Sequence, residues 1–109
     1  MKAGEIILIP FPFAEMTKRK VRPSVVISLT KDKHKDIIVS AISSVLPEKT
    51  NDNEMILEPS SVNKLRTVSV LKVDRIVTLK KEDMIARLGK LNEAELATFK
   101  RKFKNLIDT

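Results

Sequence analysis

A chain of 109 residues can bury one modest core without staples, and with 42% hydrophobic and 32% charged residues it fits neither the disordered nor the membrane class. With no cysteine and a single histidine, His34, it lacks thiolate chemistry and the ligands of a histidine-based zinc centre, so no metal site and no cofactor are expected. A net charge of +7 points to a polyanionic partner, nucleic acid first; no apolar run approaches the roughly 20 residues of a membrane span and no signal peptide is evident, so the expected location is the cytoplasm.

The run Glu5-Ile6-Ile7-Leu8-Ile9 is apolar and rich in β-branched residues, which predicts a buried first strand with a stiff exit through Pro10-Phe11-Pro12-Phe13. Ala14 to Val21 has no apolar periodicity and carries Lys18, Arg19 and Lys20, so it reads as a basic loop before a second strand, Pro23 to Leu29. The polar Thr30 to Lys35 is a hairpin connection to a third strand, Asp36 to Ser43. Leu46 to Asn53 is turn-rich, Glu54 to Glu58 is a short edge strand, and Pro59 to Arg66 is a further polar stretch. Two strands follow, Thr67 to Val73 and Arg75 to Leu79.

After Leu79 the periodicity predicts a short helix over Lys81 to Leu88, capped by Gly89. A second helix opens at Asn92 with Glu95 completing a capping box, and sets Leu96, Phe99, Phe103, Leu106 and Ile107 on one face with Lys100, Arg101, Lys102 and Lys104 mainly on the other. The expected fold class is mainly β: about six antiparallel strands in a small barrel or sandwich over residues 1–80, with two helices over 81–109 packed on it as one domain.

Several ordered motifs carry a resemblance. The segment from Gly4-Glu5 through Pro10-Phe11-Pro12-Phe13, followed by Lys20-Val21-Arg22-Pro23, resembles the opening of the MazF/PemK toxins of type II toxin–antitoxin systems. Ala41-Ile42-Ser43-Ser44 is similar to that family's site at the end of the third strand, and Lys72-Val73-Asp74-Arg75 to its late basic-x-Asp strand. Leu88-Gly89-Lys90-Leu91 looks like the tail of one PemK-like branch.

The resemblance implies an SH3-like barrel working as a homodimer, a metal-independent endoribonuclease acting on single-stranded RNA, and a cognate antitoxin protein that neutralises it. Carried over by position, it implies that Arg22 and Ser43 form the catalytic pair, with Ser44 the substitute if the register slips by one. Such chemistry suits the composition, because the ribose 2′-hydroxyl supplies the nucleophile and the protein need supply only donors to the charging phosphorane, for which a guanidinium is well shaped. The plainer alternatives are an arginine that precedes a proline at a strand start and a serine that bonds its own turn.

Lys72 and Asp74, two apart on a strand, could jointly meet a phosphate or base edge, or form a surface ion pair. Lys18, Arg19 and Lys20 could draw RNA inward or be a plain solvated loop, and Glu15 could orient the 2′-hydroxyl or simply face water. Phe13 could stack on a base or fill the barrel rim, and His34, in a hairpin tip, lacks motif support as a general base. Relatives often carry glycine in the first loop, threonine at position 43 and arginine at position 72; this chain has no glycine from Ala14 to Val21, and has Ser43 and Lys72. Two other function classes stay open: a gyrase-binding toxin of the CcdB type, and a barrel that binds single-stranded nucleic acid without cutting it.

Overall fold

The computed structural model describes residues 1–11 and 20–108. Six strands form one antiparallel sheet: β1 (Glu5–Phe11), β2 (Lys20–Leu29), β3 (Ile37–Ser43), β4 (Glu54–Leu57), β5 (Ser69–Leu79) and β6 (Ala86–Lys90), in the order β4-β5-β3-β2-β1-β6. A helix, α1 (Glu93–Asn105), follows.

The β-branched runs behave as their composition dictates, with Ile6, Ile7, Ile9, Val25, Val26, Ile37 and Val39 buried. Alternation divides these side chains between two clusters. Ile6, Val25, Ile42, Met55, Leu57, Leu71 and Val73 form one, together with Phe99 of the helix. Ile7, Ile9, Val26, Ile37 and Val39 form the other. The sheet therefore curves as a half-barrel around the first cluster, and α1 closes it.

Pro10 and Pro23 both lie inside strands, which the sequence reading did not expect of Pro10. Beyond Leu8, β1 pairs only with β2, and at Pro23 β2 pairs only with β1, so each proline sits where a strand has one neighbour and a missing amide is tolerated.

Two expected elements come out differently. The two late strands are one, β5, whose pairing with β3 shifts between Ser40 and Ala41 so that Ser40 faces Ile76 while Ala41 faces Lys72. The expected break falls in this irregular stretch, where the Ser40 hydroxyl donates to the Val73 carbonyl at 2.9 Å and the Val73 amide donates to Asn53.

The expected helix over Lys81 to Leu88 is a single 3₁₀ turn, Lys81–Asp83, running into β6. Good helix formers are overridden here by pairing: β1 has a free edge, and Ala86 to Lys90 fills it. Gly89 is therefore no helix cap. It lies in the strand because a Cβ there would stand 2.5 Å from the Val62 carbonyl oxygen and 2.8 Å from that of Asn63. Gly89→Ala should cost about 1–3 kcal/mol of stability through this overpacking, read from denaturant midpoints. A cost well below 1 kcal/mol would remove the close approach from the account.

The remaining helix forms as predicted. The Asn92 side chain accepts from the Glu95 amide at 2.7 Å, and Glu95 accepts from the Asn92 amide at 2.9 Å. Leu96, Phe99, Phe103 and Leu106 pack on the first cluster, but Ile107 is 82% exposed. The helix stops at Asn105, so the periodicity that carries the apolar face does not extend to that residue.

Candidate functional site

Register brings three of the predicted residues to one side of the sheet. Arg22 stands opposite Ile9 on β1, Ser24 opposite Ala41 on β3, Ser43 opposite Val70 on β5, and Lys72 opposite both Ala41 and Glu54. By strand parity Arg22 faces the same side as Ser24, and so the same side as Ala41, Ser43 and Lys72, although the β2–β3 pairing itself ends at Ser24. Arg22, Ser43 and Lys72 are half-buried. Partial burial leaves a cation stronger in its field than a fully solvated one. The Ser43 hydroxyl accepts from the Val45 amide at 3.1 Å, which fixes the oxygen and leaves its proton to donate elsewhere.

Beside this face a cavity of about 380 Å³ lies across the start of β2. Its apolar walls are Leu8, Val21, Pro23, Ile42, Leu65 and Leu88, and its polar lining is Arg22, Ser44, Lys64, Arg66, Thr67 and Ser69. Val21 and Pro23 alternate to the other face from Arg22, yet all three border the cavity, so Arg22 stands at the boundary between the cavity and the side of the sheet that bears Ser43. Ser44, not Ser43, lines the cavity itself. The two serines therefore serve different sides of the same edge.

The other expected residues separate into groups. Phe13, Glu15, Lys18 and Arg19 lie outside the described residues. Lys20 is exposed at the start of β2, opposite Phe11. Asp74 is exposed and accepts from the Asn53 side-chain amide at 3.3 Å, with no ion pair to Lys72 among the described residues. Lys72 and Val77 face the same side five residues apart, through Ala41 and Val39, so alternation is interrupted once between them and spacing alone does not bind Asp74 to Lys72.

His34 sits at the β2–β3 turn, whereas Arg22 and Ser43 are at the far end of that hairpin, about 20 Å along the strands. It is not part of the site. In the same turn the Thr30 hydroxyl, foremost, with the Lys35 and His34 amides, holds the exposed Asp32 carboxyl below its ordinary range, a local turn feature.

Sequence reasoning missed Lys64, Arg66 and Thr67, which it placed in a polar stretch and at a strand start. Two cations flanking a buried Leu65, immediately before a strand, were the available signal.

A sequence profile described as PemK-like, MazF-like toxin of type II toxin–antitoxin system matches residues 2–107. Among curated proteins none matches significantly. Among solved structures, an endoribonuclease in complex with its cognate antitoxin, from a mycobacterial species, superposes with a TM-score of 0.76 at 14% identity, covering 99% of this chain and 95% of that one. The Mycobacterium tuberculosis toxin MazF-mt6 superposes with a TM-score of 0.65 at 20% identity, covering 94% and 96%. At these identities the likeness is one of fold.

Proposed function

The chain belongs to the PemK-like, MazF-like toxins of type II toxin–antitoxin systems, and on that footing we propose that it is an endoribonuclease that cuts single-stranded RNA through attack by the RNA's own 2′-hydroxyl. The observation that carries this reading is the common face of Arg22, Ser43 and Lys72 beside a cavity that adds further cations. The family match and the endoribonuclease among its structural neighbours support it.

In this reading the ribose oxygen attacks the adjacent phosphorus and the 5′-oxygen leaves, producing a 2′,3′-cyclic phosphate and a 5′-hydroxyl. The attacking oxygen is already held next to its target, so the protein's task is electrostatic. Arg22 supplies paired donors to the phosphorane oxygens and protonates or polarises the leaving oxygen. Ser43 donates its hydroxyl proton to the same phosphate, and Lys72 adds charge without a two-point contact. No metal or cofactor takes a step. Ser43→Ala should slow cutting by about 10–100-fold, the worth of one hydrogen bond to a charged group, and more than Ser44→Ala does. The reverse order, measured on one RNA, would move the hydroxyl role to Ser44.

The same reading makes residues 1–109 one unit with an SH3-like barrel, active as a cytoplasmic homodimer and held inactive by an antitoxin. An acidic, partly disordered antitoxin segment lying across the basic face would block RNA by charge and by occupancy. The test of function is direct: purified protein is incubated with a long unstructured RNA, with and without EDTA. Discrete cuts that persist in EDTA support the reading, and intact RNA in both overturns it.

A further inference from the structure

The segment between β4 and β5 is built more rigidly than a solvated connection needs. Asn63 is fully buried, and its side chain makes four hydrogen bonds. Its oxygen accepts from the Ser60 and Leu65 amides, each at 3.0 Å, and its nitrogen donates to the Glu58 carbonyl at 2.8 Å and to Glu95 of α1 at 3.4 Å. The Lys64 amide donates to the Ser60 carbonyl at 2.8 Å, and the Lys90 amide of β6 to the Val62 carbonyl at 3.1 Å. These bonds hold Lys64 in the left-handed region, φ 57°, which a residue with a side chain seldom adopts.

The outcome of that arrangement is a pair of cations on the cavity. Leu65 turns into the core while Lys64 and Arg66, on either side of it, are exposed and line the cavity that Arg22 also borders. Among the described residues neither has a carboxylate partner. Exposed cations that extend from a backbone fixed in this way and have no anion beside them are prepared for an external one. The cavity behind them offers apolar walls and the hydroxyls of Ser44 and Thr67, in a volume within the roughly 300–1,000 Å³ of small-molecule sites.

We infer that this cavity receives the nucleotide next to the scissile phosphate, its phosphate on Lys64 and Arg66 and its base against the apolar walls. The inference rests on the RNA-cutting reading and deepens it. The scissile phosphate lies on the Arg22 and Ser43 side, and the strand then passes over the start of β2 into the cavity. Among the described residues no aromatic ring lines the cavity, so their contact with the base is not stacking, and the phosphate contacts carry most of the affinity.

The experiment measures binding of a 2′-methoxy RNA oligonucleotide, which internal attack cannot cut, across a range of salt concentrations. Three proteins are compared: the unaltered chain, K64Q/R66Q, and K100Q/R101Q, which removes the same charge from exposed positions of α1. Loss of the one phosphate that both cations hold should lower the slope of log affinity against log salt by about 0.7 in K64Q/R66Q alone. At about 50 mM salt its binding should weaken by about tenfold.

An unchanged slope in K64Q/R66Q, or an equal fall in K100Q/R101Q, overturns the subsite, as does failure of the unaltered protein to bind. If the protein cuts RNA but the first variant binds normally, the subsite alone fails. If the slopes differ as expected but no RNA is cut, the catalytic reading fails and the subsite stands.

Discussion

Arg22→Ala is expected to slow RNA cutting by about 10²–10³-fold while leaving the protein folded, the usual consequence of removing one donor to a charging oxygen. The fold should survive because Arg22 joins the sheet through its backbone opposite Ile9, at a β2 position without a β3 partner, and its side chain is only half-buried. Arg22→Lys should recover part of the loss, since an ammonium restores the charge but not the planar fork. The comparison is made on single-turnover rates with one RNA, alongside thermal melting of each variant. A folded Arg22→Ala protein that cuts at the unaltered rate would remove the clamp from the mechanism.

The larger effect belongs to the substrate. Replacing the 2′-hydroxyl at the cut site by a methoxy group should abolish detectable cutting there, while sites that keep the hydroxyl are cut as before. Well-oriented internal nucleophiles reach effective molarities of about 10⁵–10⁸ M, and no side chain on this face replaces such a group. The Ser43 hydroxyl has no histidine beside it to activate it, since the chain's single histidine, His34, stands at the other end of the hairpin. Cutting at a methoxy-substituted position, mapped by electrophoresis, would require a different nucleophile.

Much of this arrangement is readable from the amino acids because it depends on local signals. β-branched runs fix β1, β2 and β3, and the Asn92 and Glu95 pair fixes the start of α1, whereas the common side of Arg22, Ser43 and Lys72 follows only from the observed register. What escaped depends on distant partners. Lys81 to Leu88 has good local helix chemistry, and only the free edge of β1 and the crowding of Gly89 by Val62 and Asn63 make its latter part a strand. Likewise, within Pro59 to Arg66 only the cations flanking Leu65 stand out, because the hydrogen-bond network at Asn63 is completed from outside the stretch, by Glu58 and by Glu95 across 32 residues. The bend in β5 was legible as a weak point near Asp74, but only the Ser40 hydrogen bond to Val73 shows that the chain bulges there without ending.

The chemical identity of the new ends is the most direct test of the central claim. After incubation of the protein with unstructured RNA, the fragments are mapped by mass spectrometry at their 3′ termini. The account predicts a 2′,3′-cyclic phosphate facing a 5′-hydroxyl at each cut, with the same products in EDTA. A 3′-hydroxyl opposite a 5′-phosphate would contradict it, because that pair of ends arises from an external nucleophile.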